Sequence, residues 1–124
     1  MWEEVGIVRD AASLARGRKA LDGFAAGLAR AGVADASREY AMTWQDWLNL
    51  DNLTLVSKAI AEAAEARTDS RGAHFRADHP ETGDLATSRY TVVRMTGDAL
   101  RTTTEPVAFA RVKPGQTLLK DAAE

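Results

Sequence analysis

Apolar residues along the chain form two helical stretches, followed by a region that alternates. In the first stretch, Leu14, Leu21, Phe24, Ala25 and Leu28 recur at the three- and four-residue spacing that places side chains on one helix face. Asp10 stands just before it, where a carboxylate accepts hydrogen bonds from the free amides of a first turn, and Gly32 stands where the helix is expected to end. Gly17, Gly23 and Gly27 each weaken this helix by roughly 1 kcal/mol relative to alanine. Gly23 and Gly27 lie one turn apart, where missing side chains let another backbone approach.

The second stretch, residues 43–67, is the strongest helical signal, with Thr43 as the expected N-cap. Trp44, Trp47, Leu48 and Leu55 fall on one side, and Leu53, Val56, Ile60, Ala63 and Ala64 continue an adjoining stripe. The helix would run about 37 Å at 1.5 Å per residue, and so broad an apolar surface needs several neighbours. Ahead of both stretches, Trp2, Val5 and Val8 share a face if residues 2–9 are helical. A polar stretch from Asp35 to Glu39 separates the two long helices, which should run antiparallel across a 32–42 connection.

Beyond Arg67, Gly72, His79-Pro80 and Gly83 punctuate an irregular segment. Tyr90 to Met95 then alternates as a strand, Thr96-Gly97-Asp98 can turn, and Ala99 to Glu105 can return. Pro106 should end that strand, Val107 to Val112 reads as a further extended piece, and Pro114-Gly115 opens the tail. The expected fold is mainly α: a three-helix, spectrin-repeat-like bundle over about 1–67, a connecting loop over 68–88, and a small β-hairpin with its tail over 89–124.

Composition narrows the chemistry. With 124 residues and 45% hydrophobic residues, the chain is one domain with a modest core. A net charge of -2 with interspersed signs argues against a nucleic-acid partner. Without cysteine, disulfides, thiolate metal sites and cysteine nucleophiles are excluded. Glu3, Glu4, Arg9 and Asp10 interrupt the apolar centre a signal peptide would need, and no run approaches the ~20 apolar residues of a membrane span. A cytoplasmic location is expected.

The densest polar cluster runs from Arg67 to Pro80, directly after the long helix. Arg67 and Arg71 would complement the dipole at a helix C-terminus, and Gly72 can take the left-handed conformation that closes a helix. That leaves Arg71, His74 and Arg76 crowded beyond the helix, where they repel one another unless acceptors lie opposite. Asp69, Asp78 and Asp84 can supply acceptors from within the segment; otherwise these belong to another domain or an anionic ligand.

Other constellations carry less. His74 and His79 with Asp78 and Asp84 have no specific metal-ligand spacing, so no metal site is expected. Trp44 and Trp47 read as core or interface packing rather than a ligand platform. Ser13, Ser37, Ser57, Ser70 and Ser88 lack a nucleophile elbow, so acyl-transfer chemistry has no support. Lys58 and Glu62 form a surface helix pair by spacing.

The run Ser70-Arg71-Gly72-Ala73-His74-Phe75-Arg76, with Asp78 and Pro80 following, resembles the signature in the C-terminal domain of succinate dehydrogenase, fumarate reductase and L-aspartate oxidase flavoproteins. The stretches Asn52 to Val56 and Ala63 to Thr68 resemble the long helix leading into it, and Met1 to Arg9 resembles the opening of the same domain. The closing hairpin is also similar, so the resemblance covers nearly the whole chain. Asp69 stands where a glutamate is usual, and Thr87-Ser88-Arg89-Tyr90 replaces a stretch bearing tryptophan and histidine, so a soluble relative fits at least as well as a respiratory subunit.

The resemblance implies a parent enzyme in which FAD sits on an upstream Rossmann-type domain and hydride passes between a dicarboxylate and the flavin. This chain has no G-x-G-x-x-G run and is too short for such a domain, so it should bind no cofactor itself. Met1 would then stand several hundred residues along a full-length relative, as in an excised piece, a truncated gene or one product of a split gene. The implied role is architectural: a non-catalytic domain packed on the FAD-binding domain, with Arg67, Ser70, Arg71, His74, Arg76 and Asp78 as candidate interdomain contacts. An apolar face left exposed should follow, open to a homo-oligomer. The rival expectation is a self-standing helical interaction or dimerisation module.

Overall fold

The computed structural model describes residues 1–34 and 39–116. Residues 35–38 of the polar connection, Ser37 among them, and tail residues 117–124 lie outside the described residues. The chain forms three helices and two small sheets, in the order α1 (Trp2–Val5), β1 (Val8–Arg9), α2 (Ala11–Ala31), α3 (Met42–Ala66), β2 (Phe75–Arg76), a 3₁₀ turn (Leu85–Thr87), β3 (Arg89–Thr96) and β4 (Ala99–Pro106). Strand β1 pairs parallel with β2, and β3 pairs antiparallel with β4.

Helix α2 starts where Asp10 places it. The Asp10 carboxylate accepts from Ser13 N–H at 2.7 Å while Ser13 Oγ accepts from Asp10 N–H at 3.0 Å, so two free amides are satisfied reciprocally. Gly32, at φ +57, closes the helix with its N–H on the Leu28 carbonyl. Helix α3 begins one residue earlier than the sequence pattern gives, and Thr43 is not its cap. Its N-cap is Ala41, without a side-chain hydrogen bond, because the chain turns at Tyr40 (φ +56), whose carbonyl accepts from Met42 N–H at 2.8 Å.

The two long helices run antiparallel. Arg18 on α2 pairs with Glu62 at 2.7 Å and with Glu65 on α3, Lys58 pairs with Asp22 at 2.7 Å, and the Trp47 indole donates to the Leu28 carbonyl at 3.1 Å. Lys58 and Glu62 are therefore not a pair within α3: each finds its opposite charge across the helix interface. Helix α1 has only four residues and lies against α2, so the helical part is a long pair with a short third member. Its close approach depends on Gly17, because a Cβ there would sit 2.7 Å from Val5 Cγ2. The buried apolar cluster joins all three helices through Val5, Leu14, Leu21, Ala61 and Ala64.

Two other expectations are corrected. Residues 2–9 are not one helix: it stops at Val5, and the chain extends into β1, where Phe75 N–H donates to Ile7 O at 3.1 Å and Ala77 N–H to Arg9 O at 2.8 Å. Those partners lie far along the chain, and local periodicity cannot register them. Val107 to Val112 pairs with no strand among the described residues; Val107 N–H donates once, to Ser88 O at 2.9 Å. The hairpin follows its sequence signal. Thr96 pairs with Ala99, and Gly97, first of the two turn residues, takes φ +59.

Candidate functional site

The segment after α3 is organised around two side chains. Ser70, buried by the loop, accepts from Arg76 N–H at 2.9 Å and donates its hydroxyl to His79 O at 2.7 Å, while its own N–H reaches Glu81 O at 2.9 Å. A small hydroxyl residue here can hold both ends of the loop at once. Arg76, only 3% exposed, is the second centre. Its Nη1 donates to Arg67 O at 2.8 Å and to Ala64 O and Glu65 O at 3.2 Å each, which are the carbonyls left free where α3 ends. Its Nε and Nη2 grip the two oxygens of Asp78, both at 2.7 Å.

Asp78 then completes a link between helix ends. Its Oδ2 also accepts from the N–H of Ala11, the first residue of α2, at 3.0 Å. A guanidinium thus lies at the negative end of α3 and a carboxylate at the positive end of α2, and the two are bonded to each other. The hydrogen bond from Arg76, reinforced by that from Ala11, holds the Asp78 carboxyl well below the usual carboxylate range, and the same bond raises Arg76.

Arg71 ties down the remainder of the loop. Its Nε pairs with Asp69 at 2.6 Å and donates to Thr82 O at 2.9 Å, Nη1 donates to Ser88 Oγ at 2.5 Å, and Nη2 to Asp84 O at 3.2 Å. Arg67 shares Asp69 at 2.9 Å. Gly72, at φ +55, turns the backbone between Arg71 and His74, whose main chains exchange bonds of 2.8 and 3.0 Å. It does not close α3, which ends at Ala66. Of the acceptors expected within the segment, Asp69 and Asp78 are used through their carboxylates, whereas Asp84 receives Arg71 through its backbone carbonyl.

His74 differs. It is half-buried, its Nε2 is buried without a hydrogen-bond partner, and burial together with Arg9 and Arg67 lowers its pKa, an effect Asp69 partly offsets. Arg9, which carries no site signal in the sequence, also has a buried Nε without a partner. It reaches the site because β1 lies beside β2, with Arg9 opposite Arg76. Among the described residues, no group of three or more histidine or acidic side chains converges as a metal site would require.

A second feature lies away from this loop. An apolar groove of about 480 Å³ runs between α2 and α3, walled by Phe24, Gly27 and Leu28 on one side and Leu50 and Leu53 on the other, with Met1 also in its lining. No described helix is long and apolar enough to cross a membrane.

An antiparallel helix pair whose ends are clamped by a serine- and arginine-centred loop, followed by a hairpin, defines a mainly helical domain. The profile of the family described as "Fumarate reductase flavoprotein C-term" matches residues 1–118, and the chain belongs to that family. It is 38% identical to the succinate dehydrogenase flavoprotein subunit of Coxiella burnetii over 74% of this chain and 16% of that protein. It is 34% identical to the L-aspartate oxidase of Streptomyces coelicolor over 86% of this chain and 18% of that protein. The fumarate reductase flavoprotein subunit of Mycobacterium tuberculosis is 33% identical over 90% of this chain and 19% of its own length. The FrdA chain of E. coli quinol fumarate reductase shares the fold, with a TM-score of 0.84 and 24% identity over 94% of this chain and 20% of that one. The chain therefore spans about a fifth or less of these relatives. Nothing in these comparisons supports the rival expectation of a self-standing interaction module.

Proposed function

We propose that the chain is the non-catalytic C-terminal domain of an FAD-dependent oxidoreductase acting on a dicarboxylate such as succinate, fumarate or L-aspartate, and that it packs on the parent's FAD-binding domain. The flavin is held by that other domain and supplies hydride transfer; this chain contributes rigidity. The carrying observation is the match of the family profile to residues 1–118. The geometry supports it, since the signature side chains fasten the helix ends and fold the loop instead of converging on a reactive centre.

Within this reading the six contact candidates divide. Arg67, Arg71 and His74 are half-buried at the loop surface and meet the neighbouring domain directly. Ser70 and Arg76, both buried, and Asp78, bonded to Arg76 and Ala11, act by holding that surface in shape. The helical region 1–67 acts as one bundle in the assembled parent, which resides in the cytoplasm. Mixing the chain with the separately produced FAD-binding region tests the proposal. A one-to-one complex is expected by sedimentation, weakened at least tenfold by Arg71→Ala. If sedimentation and calorimetry detect no association, the reading is wrong.

A further inference from the structure

We infer that Arg9, on strand β1 near His74, is the anchor point for an acidic side chain of the FAD-binding region. The inference rests on the domain reading above and supplies the chemistry of one contact in it. Its basis is the charge balance around the loop. Arg67 and Arg71 share Asp69, and Arg76 holds Asp78. The cations that crowd together in the sequence are thus satisfied within the chain. The Arg9 side chain, by contrast, has neither a carboxylate nor a hydrogen-bond acceptor among the described residues. The β1–β2 register sets it opposite Arg76, and burial and that neighbouring cation both lower its pKa. A half-buried cation facing another cation is unfavourable until an anion is brought to it.

The guanidinium is placed to receive one. Its Nε is buried, whereas Nη1 and Nη2 are not closed off and have no acceptor among the described residues. A carboxylate set end-on against those two nitrogens makes two parallel bonds. The surroundings favour the same sign. Arg9, Arg67 and Arg76 all act as cations on His74, and Asp69 alone acts the other way. Arg67 and His74 belong to the surface proposed above to meet the neighbouring domain, so Arg9 extends that surface. Magnitudes decide the source of the carboxylate. An exposed ion pair in water favours contact by a factor of about five at best, too little to retain a free small anion at one arginine. Charges paired between docked surfaces, where water is shut out, couple by about tenfold or more.

Calorimetry of the chain with the separately produced FAD-binding region tests this. Arg9→Gln should weaken association about tenfold or more. Arg9→Glu should weaken it about tenfold further, because it sets two carboxylates face to face, and Arg9→Lys should recover part of the loss. Melts of the variants alone separate anchoring from folding. Arg9→Gln removes a cation opposite Arg76 and should not lower the Tm. A lower Tm for that variant assigns Arg9 to the fold and overturns the inference, as does equal affinity of the Gln and Glu variants. Succinate titrated into the chain alone should give no saturable heat. A saturable heat that Arg9→Gln abolishes assigns the site to a free anion and also overturns the inference. If the FAD-binding region associates equally with the natural and Arg9→Gln chains, only the inference fails. If it associates with neither, the domain reading fails with it.

Discussion

At the scale of single residues, the chain concentrates its polar work in Arg76. Arg76→Ala should cost about 2–4 kcal/mol, because it frees buried carbonyls at the end of α3 and strips Asp78 of its forked partner. Arg76→Lys should recover only part of that, since an ammonium is a single point and cannot bridge three carbonyls and two carboxylate oxygens in one plane. Urea unfolding of both variants checks this, and equal stability of Lys and Arg at this position would contradict the geometry. Asp78 sets an acid limit. Its carboxyl is depressed in the fold, so its stabilisation is complete above the unfolded value of about 3.9 and is lost as pH falls from there. Asp78→Asn should therefore lower stability at pH 7 and flatten the acid limb of the stability curve below about pH 4. At Gly17 the opposing terms can be compared. Alanine gains roughly 1 kcal/mol of helix propensity but meets Val5 Cγ2 at 2.7 Å, and overpacking of about 1–3 kcal/mol should prevail. Thermal melts should show a lower Tm for Gly17→Ala.

At the scale of elements, what can be read from sequence depends on how local the cause is. Helix α2 is legible at both ends because Asp10 and Gly32 act on neighbouring amides and carbonyls. The hairpin is legible because Gly97 sits between two alternating runs. Strand β1 is not, since its partner is β2 and two residues give no period. The arginine cluster is visible as a cluster, and its acceptors Asp69 and Asp78 lie nearby, as its charge requires. The three carbonyls that Arg76 caps at the end of α3, those of Ala64, Glu65 and the C-cap Arg67, are invisible, because carbonyls belong to every residue and only geometry selects among them. Arg9 escapes for the same reason as β1.

The β1–β2 tie carries its own prediction. Burial, together with Arg9 and Arg67, lowers the His74 pKa in the fold, so the unfolded chain takes up a proton first, near pH 6.5. Stability should fall as pH drops below about 6.5 and level off once the folded histidine also titrates. His74→Gln should remove that slope. Exchange of the Phe75 and Ala77 amides, which bond to Ile7 and Arg9, should quicken over the same range in the natural chain beyond the intrinsic pH effect. Unchanged protection between pH 7 and 5.5 would show that His74 does not control the tie.

At the scale of the whole molecule, the burial pattern describes a thin apolar core with much apolar surface left uncovered. Among the described residues, Leu14 is the one large side chain fully removed from solvent, while Trp2, Phe24, Leu53, Val56 and Ile60 remain largely exposed. Besides the apolar cluster, Arg18, Lys58 and Trp47 reach across the helix pair. Exposed ion pairs of this kind contribute little each and weaken with salt. The stability of the chain alone should therefore be low and should fall further between 50 mM and 500 mM salt. A partner that binds only the folded form stabilises it by mass action, so under the proposed packing the FAD-binding region at about 100 times its Kd should add about 2.7 kcal/mol. For a domain of this size that corresponds to roughly 10 °C in Tm. Scanning the chain with and without that region, at both salt concentrations, separates the two effects. If the melt is already high alone and indifferent to the added domain, the exposed faces are not interfaces, and the stability must come from contacts within the chain.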